Sequence, residues 1–564
     1  MTTPPPWRLA AALVLASAAA AALLATPAPQ LGVEDEWVWP VIPYVGGHPA
    51  AWLVGVCAAA AYLVFVRSGS RRLQRIERSA RGGRLREVER AGWLVALVAA
   101  CLGWWFALLN AAPDTLPVAA GPEGVSAVRV PFGLGRSPLV LYYGRMSGYY
   151  FEARYTDQSA AEFLANYETS IASREDAQRY LHLGTHPPGM ILLHRGVIAC
   201  VERSPALRAA LLRTLPATLV ESNAAIRQEA RAGGRDFTEL DEAALWLATL
   251  LTFAACAATV VPLALLMRSD SLDFSAAWRW ASLWAFVPAV CVFLPKCDAL
   301  LPLPCVLAGQ LLFPALHRSA PIRALAAGVV CCLGMLLSLA FIPVLLWLGG
   351  ATLLTWWTTR GAAESSSPPE APRPRLRPCE LALVMVAIGC LLPIGILYFA
   401  ARHNLVHTWL LNFRHHAEFY EHNSRSYGAW LVANVVEAAV AAGPPLLLLG
   451  AWGGVASLRN LWRRGASTGI AGAAGVIVLT LLLLSGKNMG EAARLWIPFF
   501  PWLILAAAAR SPGTGQNRGT LGFAPTSGGP RFDSVWLLAA VLQAAIAILA
   551  STRIDGFGFS ELPL

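Results

Sequence analysis

Long apolar runs alternate with short basic connections along this chain. Residues 9–33, 37–66, 91–113, 243–267, 299–316, 324–359, 381–401, 438–458, 465–486 and 534–552 contain no Asp, Glu, Lys or Arg. Shorter uncharged runs cover 280–295 and 495–509. A helix needs about 20 apolar residues to cross a bilayer core. The run 324–359 is long enough for two helices, with Pro343 as the natural breakpoint. The pattern therefore predicts thirteen membrane-spanning helices, an all-α polytopic fold. Residues 190–201 are apolar too, but the run is short and holds His194 and Arg195 in its middle. It reads as a helix lying at the membrane interface, as does 207–220 after it. The start of the chain, with Arg8 as its only basic residue, reads as an uncleaved first helix rather than a signal peptide.

Composition agrees. The 564 residues are 56% hydrophobic and 14% charged, against about 25% charged in a soluble chain. That excludes an ordinary soluble enzyme, a disordered chain and a disulfide-stapled scaffold. The 11 cysteines include no CxxC pair and sit mostly in apolar runs. They read as small core residues.

Charge sets the orientation. Residues 67–90 hold nine Arg against three Glu, so this loop is expected on the cytoplasmic side. The same holds for 268–279, 318–323, 360–377, 459–464 and 510–531. The exterior then receives 27–50, 114–242, 296–298, 402–427, 487–491 and the C-terminus. The net basic balance is a topology signal, not a nucleic-acid footprint. Two Pro/Gly/Ser-rich stretches, 361–379 and 511–532, read as solvated cytoplasmic linkers. Residues 1–350 read as a catalytic module with exterior loops at 27–50 and 113–242. Residues 351–564 read as further helices with exterior loops at 402–429 and 486–494.

The unusual polar residues collect on the exterior side, where intramembrane and near-membrane charges carry function. Glu34, Asp35 and Glu36 are adjacent; their mutual repulsion is expected to raise the pKa of at least one, as a general base requires. The plain alternative is a solvated acidic loop. The segment 114–242 is rich in Tyr and contains Asp157 and the string LHLGTHPPGMILLH. Pro is tolerated in a first helical turn, so His186 stands at a helix start suited to an anionic group. Lys296 and Asp298 occupy a tight turn between two apolar helices, where an unpaired carboxylate is costly. Residues 412–430 crowd Arg414, His415, His416, Glu418, Glu421, His422, Arg425 and Tyr427. His415, Glu418 and His422 share a helical face that a metal could use, though a polar interfacial helix is the plainer account. Arg414 and Arg425 suit phosphate or sugar contacts. In GKNMGEAARLW, Lys487 and Arg494 bracket Glu491, and Arg binds phosphate bidentately. Ordinary interface anchoring is the alternative here.

Together these features resemble the polytopic glycosyltransferases of the C-type fold (GT-C), which include the protein O-mannosyltransferases and the lipid A aminoarabinose transferase. The resemblance rests on the acids after the first helix, His-Pro-Pro at 186–188, the Asp298 turn and GEAARLWIPFFP. It covers residues 1–350 and the late turn. It implies a donor sugar on a polyprenyl phosphate, used at the exterior face of a multi-pass protein of the bacterial inner (plasma) membrane. The acceptor would be a glycan, lipid or protein, and a divalent cation is compatible. By the same resemblance Asp35 or Glu36 would be the catalytic base, Asp298 the second carboxylate, and Arg494 with Lys487 the donor-phosphate ligands. His186 matches the His-Pro-Pro histidine. The chain departs from the family at residues 51–111, a hairpin between the acidic trio and HPPG; if 93–109 is the true first helix, Asp157 becomes the base. Two other classes stay open: a transporter or flippase, and a non-catalytic membrane assembly protein.

Overall fold

The structure, a computed structural model, describes residues 6–26, 31–42, 49–79, 83–112, 115–120, 126–143, 148–172, 182–270, 272–366, 377–464, 469–509 and 530–557. Eight helices among them are long and apolar enough to cross a membrane: Trp7–Ala25, Trp52–Arg78, Gly83–Ala111, Glu239–Ser269, Cys297–His317, Leu339–Thr359, Pro378–Ala401 and Ser534–Arg553. The protein is thus an all-α polytopic membrane protein, but the count of thirteen spans is not reproduced. The other five apolar runs fold as helix without giving straight, full-length spans.

In chain order the elements are α1 (Pro6–Ala25), the hairpin β1 (Gly32–Val33) and β2 (Trp37–Val38), α2 (Pro49–Arg78) and α3 (Gly83–Ala111). Next come the hairpin β3 (Thr115–Ala120) and β4 (Ser126–Pro131), then α4 (Ser137–Tyr142), α5 (Tyr149–Tyr155), α6 (Ala160–Ala172), α7 (His182–Thr185), α8 (Gly189–Arg203), α9 (Pro205–Arg213) and α10 (Ala217–Ala232). The bundle continues with α11 (Glu239–Ala258), α12 (Val260–Ser269), α13 (Phe274–Ala281), α14 (Pro288–Phe293), α15 (Pro302–His317), α16 (Pro321–Leu337), α17 (Ile342–Ser366) and α18 (Pro378–Ala401). It ends with α19 (Leu405–His422), α20 (Tyr427–Ala442), α21 (Pro444–Arg464), α22 (Ile470–Ser485), α23 (Ala492–Leu495), α24 (Phe500–Ala508) and α25 (Pro530–Arg553).

Several expected boundaries move, each for a local reason. The uncharged run 9–33 leaves helix at Ala25, and 37–66 begins in a hairpin, Gly32–Val38, around the acidic residues, with its described helix from Pro49. The run 324–359 breaks at Ser338, not at Pro343. Pro343 sits in the first turn of α17, where its missing N–H leaves nothing unpaired. The run 438–458 bends by 107° between α20 and α21. Gly443 makes the bend with φ +83°, and a side chain there would collide with Gln543. The interfacial helix expected at 207–220 is split at Pro216, while α8 covers the one expected at 190–201. Of the linkers, 367–376 and 510–529 lie outside the described residues, and α17 runs on through Ser366.

The broken run 280–295 shows how irregular backbone survives inside the bundle. Between α13 and α14 the chain passes through a 3₁₀ turn, Ser282–Phe286. The carbonyl of Ala285 in that turn accepts from the indoles of both Trp104 and Trp105, each at 2.9 Å. Such a break is tolerated at membrane depth only where protein groups satisfy the freed carbonyls. One continuous core runs from α1 to α25. Residue 350, placed between two modules by the sequence, lies inside α17. Arg553 at the end of α25 fastens this core to the chain start, donating to the carbonyls of Leu24 (2.9 Å), Thr26 (2.6 Å) and Ile42 (2.6 Å).

Candidate functional site

Segments expected to share the exterior side meet at one end of the bundle. The first is the turn between α14 and α15. Proline at 295 and 302 bounds it, and Lys296 and Asp298 project from it, 5% and 7% exposed. The second is the turn between α22 and α23. It reverses direction through positive φ at Gly486, Gly490 and Glu491. Glu491, at φ 56°, is one of three non-glycine residues with positive φ among the described residues, with Asp35 and Arg402. This conformation costs a side-chain-bearing residue about 1–2 kcal/mol, and such strain clusters at functional sites. The carbonyl of Glu491 accepts from Arg494 N at 3.0 Å, which starts the short helix carrying Arg494.

These two turns converge on a buried ionic group. Arg494 donates from Nη2 to Glu491 at 2.7 Å, and its Nε lies 3.7 Å from Asp298. Its Nε has no hydrogen-bond partner. Two acids and two bases therefore share one small volume. Burial pushes the Lys296 ammonium down to about 8, and the positive Arg494 pushes the same way while Glu491 and Asp298 oppose. Tyr149 adds a buried hydroxyl without a hydrogen-bond partner, its pKa raised by burial and then by Cys297 and Asp298 nearby.

His186 reaches this group through Tyr149, whose ring lies 5.8 Å from the imidazole. Its segment is held by backbone carbonyls. Tyr167 donates to His186 O at 2.7 Å, and Gly184 O is met by Asn412 Nδ2 at 2.8 Å and His415 Nδ1 at 3.0 Å. Gly189 then packs on the carbonyl of Leu336 so closely that no Cβ would fit. The HPPG string is thus a close-approach helix start, and His415 belongs to its support. His422 Nδ1 meets the carbonyl of Glu418 at 2.9 Å. Among the described residues no three His, Cys, Asp or Glu side chains are arranged to hold a metal ion.

The acidic trio divides. Glu36 is consumed in docking its hairpin on α20: it accepts from Ser426 N (2.9 Å), Ser426 Oγ (2.5 Å) and Trp430 Nε1 (2.6 Å). The Ser426 hydroxyl is the main cause holding its pKa below the ordinary carboxylate value. The raised pKa expected from the trio is not found at Glu36, because hydrogen bonds to the charged form outweigh the desolvation that opposes them. Asp35 stands exposed at the hairpin tip with φ 65°. Asp157 is exposed as well, on the loop after α5, whose carbonyls at Thr156 and Gln158 are held by Arg195 (3.2 and 2.7 Å).

Of four expected binding residues, two turn out to frame the site and two lie at the surface. Arg425 donates to Met489 O at 2.7 Å and lies over the rings of Trp37, Phe419 and Trp430. Tyr427 donates to Leu484 O at 2.7 Å. Both clamp the backbone of the late turn. Arg414 is exposed, and Lys487 is exposed with its ammonium 5.6 Å above the Phe413 ring. Lys487 therefore does not share the buried group of Arg494, whose place beside Asp298 is taken by Lys296.

Sequence reasoning missed a ladder on α20. Trp430, Asn434 and Glu437, at i, i+4 and i+7, face the same way. Trp430 holds Glu36, Asn434 donates to Asn488 O at 2.8 Å, and Glu437 accepts from Ala493 N at 3.4 Å. One helix face thus fixes the acidic hairpin and the Arg494 turn together. The second oxygen of Glu437 is buried without a partner. It borders a cavity of about 20 Å³, lined also by Trp39, Phe293 and Ala493, room for about one water molecule. Polar residues at helical spacing inside an apolar run were the available signal. No protein-family profile, curated protein or solved structure matches this chain.

Proposed function

We propose that this chain is an integral membrane glycosyltransferase, moving a sugar from a polyprenyl-phosphate donor to an acceptor hydroxyl at the exterior face. The observation that carries the reading is the group of buried Lys296, Asp298 and Arg494 with partly exposed Glu491 where the exterior-assigned segments meet. Charges held this way near a membrane face are expensive and mark substrate sites. Preorganised cations in a water-poor volume stabilise developing negative charge far better than in bulk water.

In this reading the acceptor oxygen attacks the anomeric carbon. The bond from that carbon to the phosphate oxygen breaks, and its electron pair leaves on the lipid phosphate. Arg494 and Lys296 take up that charge. Asp298 and Glu491 orient the guanidinium, and the free Nε–H of Arg494 and the Tyr149 hydroxyl are unspent donors beside it. The acceptor proton passes to a carboxylate. Glu36 is engaged on both oxygens by Ser426 and Trp430, so the base in this proposal is Asp35, with Asp157 the competing choice. A lipid phosphate leaving group needs no nucleotide, and the sequence has no Gly-rich phosphate loop.

The test is incubation of the purified protein with a panel of radiolabelled polyprenyl-phosphate sugars and hydroxyl acceptors. A new glycosidic product, lost in Arg494→Ala, supports the proposal. Movement of intact lipid-linked sugar across vesicle membranes without a product would instead assign transport.

A further inference from the structure

Helix α18 is apolar on every side. Leu391, Leu392, Ile396 and Phe399 are exposed, Phe399 to 85%, and as a candidate span the helix meets lipid over most of its surface. It stops at Arg402, which takes a left-handed conformation with φ 51°. Asn404 then caps α19 by accepting from His407 N at 3.2 Å. The chain passes from the one helix to the other in three residues, so α19 starts where the lipid-facing surface of α18 ends.

Helix α19 has two different faces. Leu405, Thr408, Asn412 and His415 are buried, and the last two hold Gly184 O below the His-Pro-Pro start. The opposite face exposes Val406, Leu410 (65%) and Phe413 (52%), an unbroken apolar stripe at helical spacing. Cations rim it: the Lys487 ammonium stands 5.6 Å over the Phe413 ring, and exposed Arg414 follows Phe413. Aromatic residues anchor its flank, with Trp409 donating to Met335 O at 3.0 Å and Tyr420 to Lys487 O at 2.5 Å. An apolar stripe, basic rim and aromatic flank are the marks of a helix lying in a membrane interface.

We propose that Val406, Leu410 and Phe413 form a docking surface immersed in the outer leaflet, with Lys487 and Arg414 seated at phospholipid phosphates. The occupant is bilayer lipid, because the stripe continues the lipid-facing surface of α18 and its rim is cationic. The same rigid helix holds Gly184 O on its other face, so the depth of α19 in the leaflet sets the height of the His186 segment. This inference stands apart from the transferase reading.

The experiment places single nitroxides on the full-length protein in nanodiscs of phosphatidylglycerol and phosphatidylethanolamine. Leu410→Cys and Phe413→Cys are compared with Glu421→Cys in the charged last turn of α19, with exposed Cys57 and Cys200 replaced by Ser. At 410 and 413, collisions with oxygen should exceed those with a water-soluble nickel chelate several-fold; at 421 the chelate should dominate. Chelate-dominated collisions at 410 and 413 overturn the proposal, as does exclusion of both reagents, which would mean a protein cover. Adding Lys487→Ala and Arg414→Ala should make the probe at 413 shallower in phosphatidylglycerol-rich discs. An unchanged depth overturns the assignment of the phosphates.

Discussion

Arg494→Ala is the perturbation that probes the buried ionic group most directly. It strands two carboxylates of different exposure. Asp298 is 10% exposed in its side chain and 3.7 Å from the guanidinium; at an effective dielectric of about 20 that attraction is about 4 kcal/mol. Glu491 is 37% exposed, so solvent rescues most of its charge and its pairing is worth about 1 kcal/mol or less. Breaking a buried pair from one side costs about 3–5 kcal/mol. Lys296 remains to compensate Asp298, so the expected loss is at the low end, about 3 kcal/mol. Asp298→Asn removes the stranded charge, and the double variant should recover about 1–3 kcal/mol relative to the sum of the singles. Unfolding titrations of the four proteins in one detergent measure this cycle. Additivity within about 0.5 kcal/mol would refute the pairing. If the transferase proposal holds, Arg494→Ala also weakens donor use more than acceptor use, and Arg494→Lys restores it only in part.

Three further outcomes follow from the same geometry. For Lys296, with its pKa pushed down to about 8, the protonated form prevails below that pH and is lost above it; donor kcat/KM should fall as pH rises through about 8, and Lys296→Arg should remove that alkaline limb, which an unchanged profile in the variant would contradict. Glu437→Ala leaves the amide of Ala493 without its acceptor, so it should cost about 1–3 kcal/mol in the same unfolding titration, and Glu437→Gln less; equal, negligible losses would remove α20 from the support of the Arg494 turn. Asp35→Asn should lower turnover by about 10²–10⁴-fold with donor binding retained, whereas Glu36→Gln should act through hairpin docking and lower stability first; full turnover in Asp35→Asn with loss in Asp157→Asn transfers the base to Asp157.

The sequence by itself determined that this is a helical membrane protein, and where most of its helices lie. Burial of backbone in lipid forces uncharged runs of about 20 residues, and that signal is local. It also placed Asp298, Arg494 and the His-Pro-Pro start on one side, because alternation of spans and basic loops is read along the chain. Its count of thirteen spans is not reproduced, because a run of apolar residues does not say whether the helix within it is straight. Trp104 and Trp105 hold the break at Ala285 from another helix, and Gly443 turns the chain against Gln543. Partner choice was decided only by tertiary structure. Lys487 and Arg494 are near in sequence, yet the strained turn between them sends Lys487 to the surface and Arg494 into the core beside Asp298. Adjacent Asp35 and Glu36 part in the same way, because a hairpin tip exposes the one while the start of α20 captures the other. A charge makes its nature known in one dimension, but its pKa and its role depend on which distant group packing brings within a few ångströms.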